Sequence, residues 1–331
     1  MNRIPLLGLM VVLLSLPVAT LPRFSVPAVA ASNPSRGDFA GLVDIGGRKL
    51  YLECHGEGSP TVILISGYRA SGRFWTDDLL HPEAPRQMVM PGVANATRVC
   101  TYDRPGTYAS VGEEDFPSRS DPIAQPRTSV EVVAELHALL QAAEVPGPYV
   151  LAGHSLGGFF ARLYAATYPD EVAGLILVDA YSERLETILP PEKFDALKRI
   201  NQAGGTDDVL EIPGYGDVET LPWGGDNEVM REATAATPLP PMPLAVLAHQ
   251  TPFAVPADTL SFTSEELEGY LRAANEDLAT LAPNARFWVA GESGHDIHQD
   301  QPGLVSEAIQ QVLEGVRDPE TWYSLASCCA E

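Results

Sequence analysis

Residues 148–180, PYVLAGHSLGGFFARLYAATYPDEVAGLILVDA, constrain the fold of this 331-residue chain more than any other stretch. PYVLAG (148–153) and LILVDA (175–180) are short, continuous apolar runs, and about 156–167 between them reads as a helix. Such runs suit strands buried on both faces, and two of them joined by a helix make a parallel crossover unit. The pattern recurs on either side. After a polar leader at 32–42, VDIGGRKLYLE (43–53) reads as a hairpin turning at Gly46 and Gly47. TVILIS (61–66) and RVCTYD (98–103) read as buried strands. Thr128 and Glu131 form a capping box ahead of Val132, Val133, Leu136, Leu139, Leu140 and Ala143, which fall at helical spacing. LAVLA (244–248), a capped helix at 264–281, ARFWVA (285–290) and a helix at 302–316 complete the series. Alternating strands and helices predict an α/β fold, a mostly parallel, doubly wound sheet of about eight strands.

The alternation breaks at 181–243, after the sixth strand. One helix (192–201), Gly/Asp-rich stretches and proline clusters at both ends are read as an inserted helical lid. The core then comprises 31–180 and 244–318, with a C-terminal tail at 319–331. Hydrophobic residues make up 45% of the chain, enough for a sizeable core.

The first thirty residues read as a secretory signal peptide. Arg3 precedes an uncharged, mostly apolar stretch from Ile4 to Pro22, and Ala28-Val29-Ala30 supplies a small-residue cleavage site. Pro5, Pro17 and Pro22 argue against a membrane anchor, so cleavage near Ala30 and a secreted or periplasmic product are expected, without stable membrane insertion. The net charge of −23 becomes two units more negative when Arg3 and Arg23 leave. So acidic a chain repels nucleic acid and anionic membrane, and the charge serves solubility. Export permits disulfides among Cys54, Cys100, Cys328 and Cys329, whose spacing does not suit zinc.

Gly153-His154-Ser155-Leu156-Gly157 sits where the strand 148–153 turns into a helix. G-x-S-x-G arises by chance about one time in ten in a chain this long, but here the strand-turn-helix context that the motif needs is present. The glycines leave room for a strained turn that exposes the hydroxyl, and the Leu156 amide at the helix N-terminus faces the position of an oxyanion. A serine needs a base, and His249, His295 and His298 lie beyond it. His295, in GESGHDIHQDQP between the last strand and the last helix, is the expected base; His298 is the competitor, otherwise a lid or surface residue. With Asp296 and Asp300 these two histidines could also suggest a metal, but no metal or cofactor is expected. The acid is Asp179, at the end of the strand 175–180, with Asp258 as the alternative. His154 reads as a packing residue, Asp103 and Arg104 as an ion pair, and Phe194, Tyr215, Trp223 and Met242 as residues of the lid region that could line an apolar pocket.

VILISG, VCTYDRPG, PGPYVLAGHSLGG, ARLYAATYPDEVAGLILVDA and SGHDIHQDQP together resemble the α/β-hydrolase superfamily, of the secreted bacterial AB hydrolase-1 type, over about residues 42–316. The resemblance implies Ser155 as nucleophile, His295 as base, Asp179 as acid, and the backbone amides of Leu156 and Tyr68 as the oxyanion hole. Two positions depart from the family pattern. Ser66-Gly67 stands where relatives often have His-Gly, and Tyr108 where a further glycine is common. An elbow serine rather than aspartate implies acyl transfer on a small ester, with an amide or lactone as alternatives. The family's strand order would also make the strands of Cys54 and Cys100 neighbours, which implies a disulfide between them.

Overall fold

The computed structural model describes residues 37–112, 114–203, 218–253 and 263–324. Eight strands form one sheet: β1 (Phe39–Asp44), β2 (Lys49–His55), β3 (Thr61–Ile65), β4 (Val99–Tyr102), and, after a small two-stranded ribbon of β5 (Tyr108–Val111) and β6 (Glu114–Pro117), β7 (Tyr149–His154), β8 (Val172–Val178), β9 (Leu244–His249) and β10 (Arg286–Ala290). The order across the sheet is β1-β2-β4-β3-β7-β8-β9-β10. β1, β2 and β4 pair antiparallel and every pair from β4 onward is parallel, as a doubly wound α/β sheet requires. The hairpin turns at Gly46 and Gly47 as read from sequence, but β1 begins inside the supposed polar leader, because Phe39–Gly41 pair with Leu52–Cys54. Cys54 faces Cys100 across β2 and β4, and the two form a disulfide.

Both faces of the central strands are buried, which is why their sequences run apolar without a break. Ile63, Leu151, Leu177 and Val246 face one core layer, while Val62, Val150, Ile176 and Leu247 face the other. On the first face lie α3 (Ser129–Ala142), started by the Thr128/Glu131 capping box, and α4 (Leu156–Thr167). On the second lie α1 (Arg73–Thr76), α2 (Val89–Val93) and, near the C-terminus, α10 (Pro302–Arg317).

Between β8 and β9 the described residues hold three helices where the sequence predicted one: α5 (Leu185–Ile188), α6 (Pro191–Ala203) and α7 (Trp223–Ala236). The third was missed because its mean hydropathy is near neutral; its Met230 is nonetheless fully buried in the core beside α3 and α4. Phe194 packs into a separate small core with Leu185, Leu189 and Ala274 of α8 (Ser264–Leu278), and Met242 belongs to the main core. Tyr215 lies outside the described residues, as do the signal segment, Asp258, Cys328 and Cys329. The tail starts as a helix, α11 (Pro319–Ser324), whose Trp322 is buried; α9 (Ile297–Asp300) is a single turn after β10. No described helix is long and apolar enough to cross a membrane.

Candidate active site

β3 and β7 are neighbours in the sheet, yet the chain runs from β3 outward to β4 and from β7 outward to β8. Their C-terminal ends therefore border the crevice where such sheets bind ligands. Ile65 is paired with Gly153, so the loop Ser66-Gly67-Tyr68 leaves the sheet beside His154-Ser155-Leu156. Ser155 takes φ 51° and ψ −121°, a strained conformation for a side-chain-bearing residue. Its carbonyl accepts from the amides of Gly158 at 3.0 Å and Tyr181 at 2.9 Å, while its own amide donates to Val178.

The glycines on either side are obligatory because backbone passes where their side chains would stand. A Cβ on Gly153 would lie 2.3 Å from the Gly157 carbonyl oxygen, and one on Gly157 would lie 2.1 Å from that of Ile65. Leu156 opens α4, so its amide has no acceptor within the helix. Gly67 lies over the elbow, close enough that a Cβ there would come within 3.1 Å of the Ser155 Cβ. The Tyr68 amide follows directly on that crossing.

Arg104 holds this loop from beneath. Its fully buried guanidinium donates to the carbonyls of Ser66 at 2.8 Å and Gly67 at 2.5 Å, and to both carboxylate oxygens of Glu219. Glu219 in turn accepts from the amide of Arg69 at 2.7 Å. The expected pairing of Asp103 with Arg104 is therefore wrong. Consecutive residues leaving a strand point to opposite sides, and Asp103 instead accepts two bonds from the Arg119 guanidinium, at 2.7 and 2.9 Å, and one from its amide at 3.0 Å. Glu219 lies in the segment read as a lid, and nothing in its local sequence marks it as the partner of an arginine 115 residues earlier.

Asp179 follows β8 directly and is also at positive φ, 44°. Its Oδ2 accepts from His295 Nδ1 at 2.5 Å. Burial alone would raise the Asp179 pKa, but bonds from His249 and His295 outweigh it and hold the carboxyl well below its ordinary range. For His295, burial opposes the charge, while the hydrogen bond and charge of Asp179 prevail and raise its pKa. The loop carrying Asp179 is tied to α4 by a buried bidentate pair, Arg162 with Glu183, at 2.7 and 2.9 Å. The His295 loop is tied to α9 by the Gly294 amide, which donates to Asp300 at 2.8 Å.

Three other histidines, His154, His298 and His249, surround this pair. His154 is buried, its ring 4.6 Å from that of His295, and its Nε2 donates to the His295 carbonyl at 3.0 Å. Burial and the nearby His295 charge pull its pKa down to about 3. It packs, as expected. His298, the competing base and otherwise read as a lid or surface residue, is turned inward by α9, fully buried against Trp75 and His154. There it stays neutral, because burial and His154 push its pKa well down. His249 was not singled out by the sequence, yet its Nδ1 donates to the same Asp179 Oδ2 at 2.7 Å.

Among the described residues, two groups of side chains bring donor atoms together as a metal would require: Asp179, His249 and His295, and His154, Asp296 and His298. In the first, both imidazole N–H groups are spent on the Asp179 oxygen. In the second, the two rings lie 4.2 Å apart and 36° from parallel, packed on one another rather than converging on a point. Neither is arranged as a cation cage.

Comparison with known proteins agrees with this fold. The alpha/beta hydrolase family is matched by residues 62–308. An uncharacterized protein of Schizosaccharomyces pombe is 35% identical over 153 residues, 40% of this chain and 26% of that protein. An uncharacterized protein of Bacillus subtilis is 25% identical over 260 residues, 78% of this chain and 85% of that protein. The chain spans only 15% to 26% of the length of the first curated relatives it matches. Among solved structures, a thermophilic esterase from Thermogutta terrifontis aligns with a TM-score of 0.52 at 22% identity, over 84% of this chain and 99% of that one.

Proposed function

This chain belongs to the alpha/beta hydrolase family, and on that premise we propose that it is an exported serine hydrolase that cleaves carboxylic esters. The observation that carries the reading is the 2.5 Å bond from His295 Nδ1 to Asp179, beside a serine at a strained elbow. A histidine whose Nδ1 is so engaged presents Nε2 as a base.

Ser155 Oγ attacks the ester carbonyl as His295 Nε2 takes its proton. The carbonyl oxygen becomes an oxyanion, received by the amides of Leu156 and Tyr68, and Asp179 balances the imidazolium. His295 then gives the proton to the departing alkoxide, leaving an acyl ester on Ser155. Water, deprotonated by His295, attacks that ester, and as the acyl–Oγ bond breaks His295 returns the proton to Ser155 Oγ and the acid is freed. The cycle needs neither metal nor cofactor. The segment between β8 and β9 serves as the lid over this crevice. Export is supported by the N-terminal sequence and by the Cys54–Cys100 disulfide, which an oxidising compartment allows.

A fluorophosphonate probe and a panel of p-nitrophenyl esters, matched anilides and lactones test the proposal. Ser155 is expected to be labelled, and esters to turn over fastest. Ester turnover surviving in Ser155→Ala would sink the mechanism; faster cleavage of anilides or lactones would move the substrate class and keep the triad.

A further inference from the structure

The triad leaves one titratable group at the site without a task. His249 ends β9 and is buried. Its Nδ1 and that of His295 donate to one and the same oxygen, Asp179 Oδ2, at 2.7 and 2.5 Å. Its backbone amide reaches the other oxygen, Oδ1, at 3.3 Å. On its far side, Nε2 makes an ion-pair contact of 2.8 Å with Glu268 of α8. Glu268 is itself oriented by the Phe253 amide, which donates to its other oxygen at 2.9 Å.

The charges facing His249 come from every element packed around it. Asp179 stands at the end of β8, Glu268 and Arg272 on α8, His295 after β10, and His154 at the elbow. Arg272 donates to the His249 carbonyl at 2.7 Å and so meets its backbone rather than its ring. Each ring nitrogen therefore meets a carboxylate oxygen. The Glu268 oxygen lies off the hydrogen-bonding direction of Nε2, so that contact is one of charge, and a neutral imidazole would set an uncharged ring between two carboxylates. The imidazolium, whose positive charge is shared by both nitrogens, suits both neighbours. Burial works against the charge, but the hydrogen bond to Asp179 and the two carboxylates prevail, and the pKa of His249 is raised.

We propose that His249, held as an imidazolium between Asp179 and Glu268, is a positioning residue that fastens the acid of the triad and sets the pH at which His295 becomes a working base. The inference rests on the triad reading of Ser155, His295 and Asp179. With His249 in place, the Asp179 carboxylate is gripped on both oxygens and cannot turn away from His295. When His295 is protonated, two cations share one carboxylate oxygen, their ring centres 6.3 Å apart. That repulsion destabilises the His295 imidazolium, so His295 gives up its proton at a lower pH than Asp179 alone would dictate. With an effective dielectric of about 20, the effect amounts to about one to two pH units.

The test is the pH dependence of kcat/KM on a p-nitrophenyl ester, measured on the whole chain. His249→Gln and His249→Leu remove the charge; their acid limbs should move to higher pH by about one to two units. His249→Lys keeps a cation and should bring the limb back toward that of the parent. Acid limbs of both neutral variants that overlay the parent would overturn the inference. Should the variants not fold, as judged by circular dichroism, histidine ¹⁵N NMR of the unaltered protein decides. A His249 ring with both nitrogens protonated at pH 7 supports it, and a neutral ring overturns it. Ser155→Ala and His295→Ala separate the two readings. If both abolish turnover while the neutral variants leave the pH profile unmoved, only the role of His249 fails. Turnover surviving either alanine variant overturns the triad, and this inference with it.

Discussion

Ser155 is held by residues that are its neighbours in the chain. Gly153, Gly157 and Gly158 clear the space around it, and β7 runs straight into α4. Asp179, at the end of the neighbouring strand, is held by side chains 70 and 116 residues further on, His249 and His295. The elbow is thus a steric device, in which the backbone is closed so tightly that a single methyl group has nowhere to go. The acid side is an electrostatic device, assembled at the ends of three different strands. Steric devices fail by displacing backbone, whereas electrostatic ones fail by losing charge while the shape survives.

Four substitutions sharpen or break that contrast. The largest effect is expected on the electrostatic side. Asp179→Asn should lower kcat by about 10⁴-fold with an unchanged circular dichroism spectrum, because the amide keeps the shape of the carboxyl but not its charge. If Asp179→Asn retained parental turnover, the acid would lie elsewhere, and Asp258→Asn is the comparison that would reveal it. Next comes Glu219→Gln. It leaves the buried Arg104 guanidinium beneath the Ser66-Gly67-Tyr68 loop without a countercharge, which should destabilise the fold by about 3 kcal/mol or more in urea titration. The Ser66-Gly67-Tyr68 loop that this pair steadies should loosen too, and on the proposed mechanism, which takes the Tyr68 amide as an oxyanion donor, kcat should fall more than KM changes.

On the steric side, Gly157→Ala forces a methyl group into the backbone of Ile65 and Ser66, which cannot yield as a flexible side chain would. A loss of roughly 3 kcal/mol is expected from thermal or urea unfolding, and a variant as stable as the parent would mean that the elbow is less closed than the structure has it. The smallest change, Thr128→Ala, removes the cap of α3 far from either device. It should cost about 1 kcal/mol and leave kcat/KM untouched.

The sheet was legible for the same reason that the elbow was. A strand covered on both faces must be apolar throughout, and a helix facing the core must repeat its apolar residues every three or four positions, so β3, β4, β7, β8, β9 and the helices α3, α4 and α10 were written into short windows. Segments whose burial comes from elsewhere were not. Met230 of α7 is buried because α3 and α4 happen to pass, and His298 because the turn of α9 carries it beneath the elbow. Neither has a local sequence pattern from which its burial could be read. The pairing of Asp103 with Arg104 was misread because adjacency in sequence suggested contact, whereas alternation along the strand sends the two side chains to different partners.

Sequence by itself determined the α/β alternation and the strand-elbow-helix around Ser155, and it pointed to His295 and Asp179, which the structure brings into contact, since each depends on residue types within a few positions or on their order along the chain. Tertiary structure alone decided that Glu219 clamps the loop beside the elbow and that His249 shares the Asp179 oxygen with His295. Those contacts join positions tens of residues apart, and what brings them together is the packing of whole strands and helices, which no short window encodes.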